Sequence, residues 1–230
     1  MTVTELANAA IDLRVAELLA ARLCHDLIGP VAAVANGAEL LADEDPEFAR
    51  DAITLVGGSA RKANRRLQFY RFVYGFTGGG VTGPLPHQLA ADFLEETSIA
   101  CDYAEVARSL PVERQKLACN LLAVAAEPLI RGGRLVLAAE AAGLEVQATG
   151  EGARLLPDIR AALSLSTPAE ELNSRTVGAY FAGLLARRLG CRIVINEQPG
   201  GFRLTVVGQE IMGHDALGSS AGASTGSRST

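Results

Sequence analysis

The sequence predicts an α+β chain: a helical hairpin that pairs with a second copy into a dimeric four-helix bundle, followed by a mixed α/β unit. Three observations predict it. From residue 4 to 76, apolar residues recur every three to four positions, the period of an amphipathic helix. Beyond the run Gly78-Gly79-Gly80, short strand-like runs alternate with helical ones. Finally, two helices alone leave an apolar stripe in water, which pairing two hairpins would bury. Cover from the second half of the same chain is the competing solution.

The first helix is expected over 4–43, opening at Thr4 with Glu5 in its first turn, with Leu23, Leu27, Val31, Val34, Ala38 and Leu41 as its apolar seam. Asp43-Glu44-Asp45 stops it, and Pro46 favours the start of a second helix over 46–76. That helix carries Phe48, Ala52, Leu55, Val56, Ser59, Ala63, Leu67 and Tyr70 at helical spacing, and Gly75 ends it. Residues 1–78 thus form a hairpin unit, and 84–210 a second unit. In the second unit 86–98 reads as helix, 101–107 as extended and 112–130 as helix. Strands follow over 134–141 and 143–150, then a loop with a short helix, then a helix over 174–189. The strands Cys191-Arg-Ile-Val-Ile-Asn-Glu197 and Gly201-Phe-Arg-Leu-Thr-Val-Val-Gly208 flank the turn Gln198-Pro199-Gly200. The Ser/Gly/Ala-rich tail 213–230 is expected to be disordered.

Composition narrows the function. With 49% hydrophobic and 20% charged residues in 230, the chain is globular. A net charge of -5 without a basic run speaks against nucleic acid as a partner. No apolar stretch is expected to approach the roughly 20 residues of a bilayer crossing, and the N-terminus lacks the pattern of a signal peptide. The expectation is therefore a cytoplasmic protein without a membrane partner. Cys24, Cys101, Cys119 and Cys191 are scattered with no Cys-x-x-Cys pair, which suits reduced thiols and speaks against a metal site. Nucleophile elbows, His-x-x-x-His pairs and phosphate-binding P-loops are missing from the sequence. Of the three histidines, His87 reads as a surface residue at a helix start, and His214 lies in the tail.

That leaves His25, within Arg22-Leu23-Cys24-His25-Asp26-Leu27-Ile28-Gly29-Pro30. A lone helical histidine is more often structural, but the helical wheel favours a role. At about 100° per residue the seam falls opposite His25, whose own face holds Arg22, Gly29, Ala32 and Asn36. An imidazole on an open, low-relief helix face suits phosphoryl transfer between proteins: its neutral nitrogen is a good nucleophile near neutral pH, and a flat surround admits another domain. In a hairpin folding near residue 45, position 25 lies level with about 64–66, where Arg61, Lys62, Arg65 and Arg66 gather. No acidic residue occurs from 52 to 91. These cations either help neutralise a phosphoryl group and a receiver's acidic pocket or form a solvated basic face.

The stretch His25-Asp26-Leu27-Ile28-Gly29-Pro30 resembles the H-box of histidine kinase dimerisation domains. Ala20-Ala21-Arg22-Leu23-Cys24-His25-Asp26, together with Ser59-Ala60-Arg61-Lys62 and Gln68-Phe69, is similar to ChpT-type histidine phosphotransferases. The resemblance implies a dimeric bundle followed by a degenerate, histidine-kinase-like (Bergerat-type) α/β sandwich. It also implies His25 as phosphocarrier and Asp26 as the residue that orients its imidazole. Within the second unit Asn120-Leu121-Leu122-Ala123-Val124-Ala125 resembles an asparagine box, with Val124 where a metal-binding asparagine belongs. Gly150-Glu151-Gly152 resembles a D-x-G-x-G loop with Ala148 in place of the adenine-binding aspartate. Near Thr176-Val177-Gly178 one glycine of a third box survives, and 153–174 is short for an ATP lid.

The resulting expectation is a phosphorelay histidine phosphotransferase that passes a phosphoryl group from a receiver aspartate through His25 to a response-regulator aspartate, without ATP. Its partners would be the receiver domain of a hybrid histidine kinase, response-regulator receivers and a second copy of itself. It would need no cofactor, Mg²⁺ being held by the receiver. Arg22, Gly29, Ala32, Asn36, Arg61 and Arg65 would line the receiver contact. An ATP-using kinase with an unusual site, and a non-catalytic module that docks kinases, are the alternatives.

Overall fold

The computed structural model describes residues 3–41, 46–75, 83–140 and 143–208. The acidic turn around Asp43, the triglycine linker and the tail lie outside the described residues. Helices α1 (Val3–Leu40) and α2 (Pro46–Tyr74) form the antiparallel hairpin. Their closest approach is made by small residues. Gly37 is buried where a Cβ would stand 2.6 Å from the Val56 side chain, and Ala52 and Pro30 are buried as well. Of the expected seam, Ala52 is buried and Leu23, Leu27, Val34 and Val56 are half-buried, whereas Val31, Ala38, Leu41, Phe48, Leu55 and Leu67 face outward, together with Ile28 and Ile53. Once small residues bring two helices together, the larger apolar side chains are left on a second face that one hairpin cannot cover.

The second unit comprises α3 (Pro86–Leu94), β1 (Ile99–Tyr103), the single turn α4 (Glu105–Arg108), α5 (Val112–Ala126), β2 (Gly133–Glu140) and β3 (Gly143–Thr149). After these come α6 (Pro157–Leu163), a 3-10 turn (Ala169–Glu171), α7 (Val177–Arg188), β4 (Cys191–Gln198) and β5 (Gly201–Gly208). The strands form one sheet in the order β1-β2-β3-β5-β4, with β1 and β2 parallel and the other pairs antiparallel. Period-two alternation turns Leu135 and Leu137, Leu144, Val146 and Ala148, and Phe202, Leu204 and Val206 to one buried face, against which the helices pack. Glu145, Arg203, Asp102 and Arg134 face the other way, joined as the ion pairs Arg203–Glu145 and Arg134–Asp102. The result is a two-layer α/β sandwich. Its expected strands and helices are present except that the run 101–107, expected to be extended, ends at Tyr103 and turns into α4, and the helices expected over 86–98 and 112–130 end earlier, at Leu94 and Ala126.

The base of the hairpin is built into this second unit. Phe69, Tyr70, Phe72 and Val73 join the same apolar cluster as the sheet and its helices. Phe69 stacks on Phe93 of α3 with ring centres 4.1 Å apart, and Tyr74 meets Phe181 of α7 edge-on at 5.4 Å. The buried Asn120 donates to the carbonyls of Val73 and Lys116 at 3.1 and 2.9 Å. It ties α5 to the end of α2.

The apolar content of α1 also corrects one expectation. By length and composition alone, Leu13–Leu40 is long and apolar enough to cross a membrane. Three of the charges that interrupt it are engaged within the protein, whereas Glu17 and Glu39 are exposed. Arg14 donates to the carbonyls of Ala169 and Leu172 at 2.7 and 2.9 Å, and Arg22 and Asp26 have the partners described next.

Candidate phosphotransfer site

His25 lies near the middle of α1 and is exposed, with Cys24, Gly29, Ala32 and Asn36 exposed around it. A Cβ built on Gly29 would meet nothing within 4 Å, so the surface beside the imidazole is open. Among the described residues, no side chain or backbone group hydrogen-bonds the His25 ring. An exposed, unengaged imidazole on a low-relief surface can take and release a phosphoryl group brought by another protein.

The next residue is tightly held. Proline at position 30 has no N–H, so the helix leaves the carbonyl of Asp26, four residues earlier, without its usual donor. Arg66 of α2 reaches that carbonyl at 3.5 Å. The Asp26 carboxylate accepts a hydrogen bond from the Tyr70 hydroxyl. The orienting bond from Asp26 to His25 that the resemblance implied is therefore not formed among the described residues, because a buried phenol claims the carboxylate. Burial pushes the Tyr70 phenol well above the ordinary tyrosine range, and the hydrogen bond to Asp26 adds to the effect. Tyr70 stacks on Tyr74 at 5.5 Å with rings nearly parallel. Burial likewise raises Tyr74, against the opposing pull of the Arg22 cation.

Arg22 does not lie free on the receiver-facing surface as expected. Its guanidinium pairs with Glu127 at the end of α5 and donates to the carbonyl of Arg175 at 3.1 Å. A Cβ on Gly178 of α7 would come within 3.1 Å of it. Burial works against its charge, but Glu127 together with Tyr74 and Tyr70 outweighs this and its pKa is raised. The expected position on the His25 side of α1 is right, and the second unit simply occupies that edge.

The basic cluster on α2 divides. Arg61 is exposed over Gly57. Lys62 pairs with Glu96 at 2.9 Å, and Arg65 with Glu95 and Glu96 at 2.5 and 3.5 Å. Sequence reasoning placed Arg66 at the right height and missed its link to Asp26. The missing N–H of Pro30 was the signal that could have found it. Tyr70 was read only as an apolar seam residue, and Glu127 went unnoticed.

The positions that the resemblance assigns to a nucleotide site lie in and behind the sheet of the second unit. Ala148 is fully buried in β3, between Leu135 of β2 and Phe202 of β5. Val124 is 2% exposed and lines a cavity of about 190 Å³ with Glu127, Pro128, Leu155, Ile159 and Arg175. Arg175 is paired with Asp158. Gly150 and Gly152 form the turn after β3, where Gly152 takes a positive φ of 72°. Among the described residues no cluster of His, Cys, Asp and Glu suits a metal ion.

Residues 86–201 match the family described as the histidine phosphotransferase C-terminal domain. The chain is 32% identical over 196 residues to the protein phosphotransferase ChpT of Brucella abortus (strain 2308), a match that spans 82% of this chain and 91% of that protein. Its fold is also that of a bacterial phosphotransferase of known structure, with a TM-score of 0.71, 28% identity, and coverage of 84% of this chain and 96% of the other.

Proposed function

This chain belongs to the family of ChpT-type histidine phosphotransferases of phosphorelays, and from that premise we propose that His25 is its phosphocarrier. The observation that carries the reading is the exposed, unengaged imidazole on the open stretch of α1 around Gly29. In the forward step a neutral ring nitrogen attacks the phosphorus of a receiver's aspartyl phosphate. The N–P bond forms as the P–O bond breaks, and the electron pair leaves with the aspartate carboxylate. A second receiver's carboxylate reverses these bond changes and takes the phosphoryl group onward. The Mg²⁺ that neutralises the phosphoryl oxygens belongs to the receiver, so this chain supplies the nucleophile and the docking surface.

In this reading Gly29, Ala32 and Asn36 leave room for the receiver, and Arg61 and Arg65 face its acidic pocket. Arg22 acts indirectly, by fixing the second unit beside His25. ATP takes no part. The buried Ala148 and Val124 offer neither a purine-reading carboxylate nor a metal ligand. The protein acts as a cytoplasmic homodimer, its uncovered hairpin face buried against a second copy. Residues 1–78 and 84–210 act as its two functional units.

The test is transfer from a phosphorylated receiver. His25→Ala and His25→Gln are expected to abolish acceptance while leaving the melting temperature unchanged, and acceptance by either variant would move the carrier elsewhere. Gly29→Trp is expected to block transfer by bulk at all salt concentrations. Wild-type rates in that variant would displace the docking face. Calorimetry is expected to show no ATP binding, and micromolar affinity would overturn the ATP-independent reading.

A further inference from the structure

We infer that Tyr70 is a positioning residue of the transfer reaction: its hydroxyl holds the Asp26 carboxylate on the α2 side, clear of the His25 imidazole. This rests on His25 being the phosphocarrier. Three features support it. Tyr70 is 3% exposed, and a buried phenol hydroxyl needs a partner; among the described residues its partner is Asp26. The ring itself cannot swing. It is stacked on Tyr74, with Phe69 and Phe93 edge-on at 6.0 Å each. Finally, α2 grips Asp26 twice, at the carboxylate through Tyr70 and at the carbonyl freed by Pro30 through Arg66.

The consequence is chemical. A carboxylate next to an imidazole favours the imidazolium, which has no lone pair to attack phosphorus, and it would repel an arriving phosphoryl group. Drawing that carboxylate onto a phenol turns it from the ring and keeps the approach open in both directions of transfer. The charged and titratable groups facing this pair are His25 and Arg22 on α1, Arg66 and Tyr74 on α2, and Glu127 on α5. The α3 side contributes the apolar Phe93. Arg22 and Glu127 neutralise each other. Asp26 is the carboxylate next to His25 in the chain, and Tyr70 is what restrains it.

The experiment is the pH profile of phosphoryl transfer from a phosphorylated receiver to the full chain, with thermal melts as a folding control. Tyr70→Phe frees the carboxylate, and the acid limb of the profile is expected to move up by about one pH unit. On that limb transfer is then up to about tenfold slower, with the alkaline plateau unchanged. Tyr70→Phe/Asp26→Asn is expected to return the limb to its wild-type place. A folded Tyr70→Phe with an unmoved limb overturns the inference, as does a double variant that stays shifted. Should Tyr70→Phe not fold, Asp26→Asn alone decides. Its limb is expected to stay within a few tenths of a unit of wild type, because the carboxylate it replaces is already turned onto Tyr70 rather than onto the ring, and a larger movement overturns the inference. Loss of the His25 assignment would appear separately, as acceptance by His25→Ala.

Discussion

The two ends of the hairpin are made of the same two helices and have opposite surroundings. At its base, Phe69 and Val73 are 1% and 0% exposed, sealed under α3, α5 and α7. Toward the far end Val31, Phe48 and Ile53 are all more than half exposed, although their spacing is just as regular. Helical periodicity therefore reports that a face is apolar, not what covers it. At the base the chain covers itself, and farther out the face is left uncovered. His25 lies where one regime gives way to the other, fixed by the packed base and open on its outer side.

The largest expected break in this comparison is Phe69→Ala. Removing a fully buried ring that stacks on Phe93 is expected to cost about 3–5 kcal/mol in denaturant unfolding, while Phe48→Ala changes the diluted monomer by no more than about 0.5 kcal/mol. Equal costs would mean that both ends are packed within one chain.

The next effect is on association. If a second copy covers the outer face, Val31→Glu is expected to weaken the dimer at least tenfold in light scattering or sedimentation, by burying a charge in an apolar contact. The melting temperature of the diluted protein is expected to stay put. A wild-type chain that is a stable monomer at micromolar concentration would remove the bundle altogether.

A smaller effect is expected at the join. Arg22→Met leaves Glu127 partly buried without its cation, a loss of about 1–3 kcal/mol. Arg22→Lys is expected to recover only part, since a lysine cannot reach a carboxylate and a carbonyl with one planar fork. Transfer is expected to fall with the seating of the second unit. If stability is unchanged and transfer still collapses, Arg22 touches the receiver directly.

How much of this was legible in the sequence follows from the range of each interaction. The strands over 191–197 and 201–208, the long helices and the exposure of His25 depend on local period and turn residues, and all were readable. The height of Arg66 opposite His25 followed from hairpin geometry. The partners Tyr70–Asp26 and Arg22–Glu127 lie 44 and 105 residues apart, and no periodicity encodes them. The period does not distinguish the face closed by Gly37 and Ala52 from the face carrying Val31 and Phe48, so which seam residues the hairpin buries by itself was not legible. The basic cluster was misjudged for a simpler reason. The acid-free window ends at residue 91, and the carboxylates that neutralise Lys62 and Arg65 are Glu95 and Glu96, just beyond it.

That last point gives the finest test of how the second unit adjusts the hairpin. If Glu95 and Glu96 occupy Lys62 and Arg65, those cations are muted as attractors of an acidic receiver, and Arg61 carries most of the steering from α2. Removing the two acids by Glu95→Gln/Glu96→Gln is then expected to raise the second-order rate of transfer about two- to threefold at low salt, since rim charges act mainly on encounter. The gain is expected to vanish near physiological ionic strength, where the screening length is about 8 Å. Arg65→Glu is expected to slow transfer by a similar factor and to be relieved by salt in the same way. Arg61→Glu, starting from a cation with no such carboxylates beside it, is expected to slow it more. The ordering of the two arginine variants separates a solvated basic face from a docking surface. Equal and salt-insensitive effects would make the cluster a structural brace between α2 and α3, and the receiver's electrostatic guide would have to lie on the second unit.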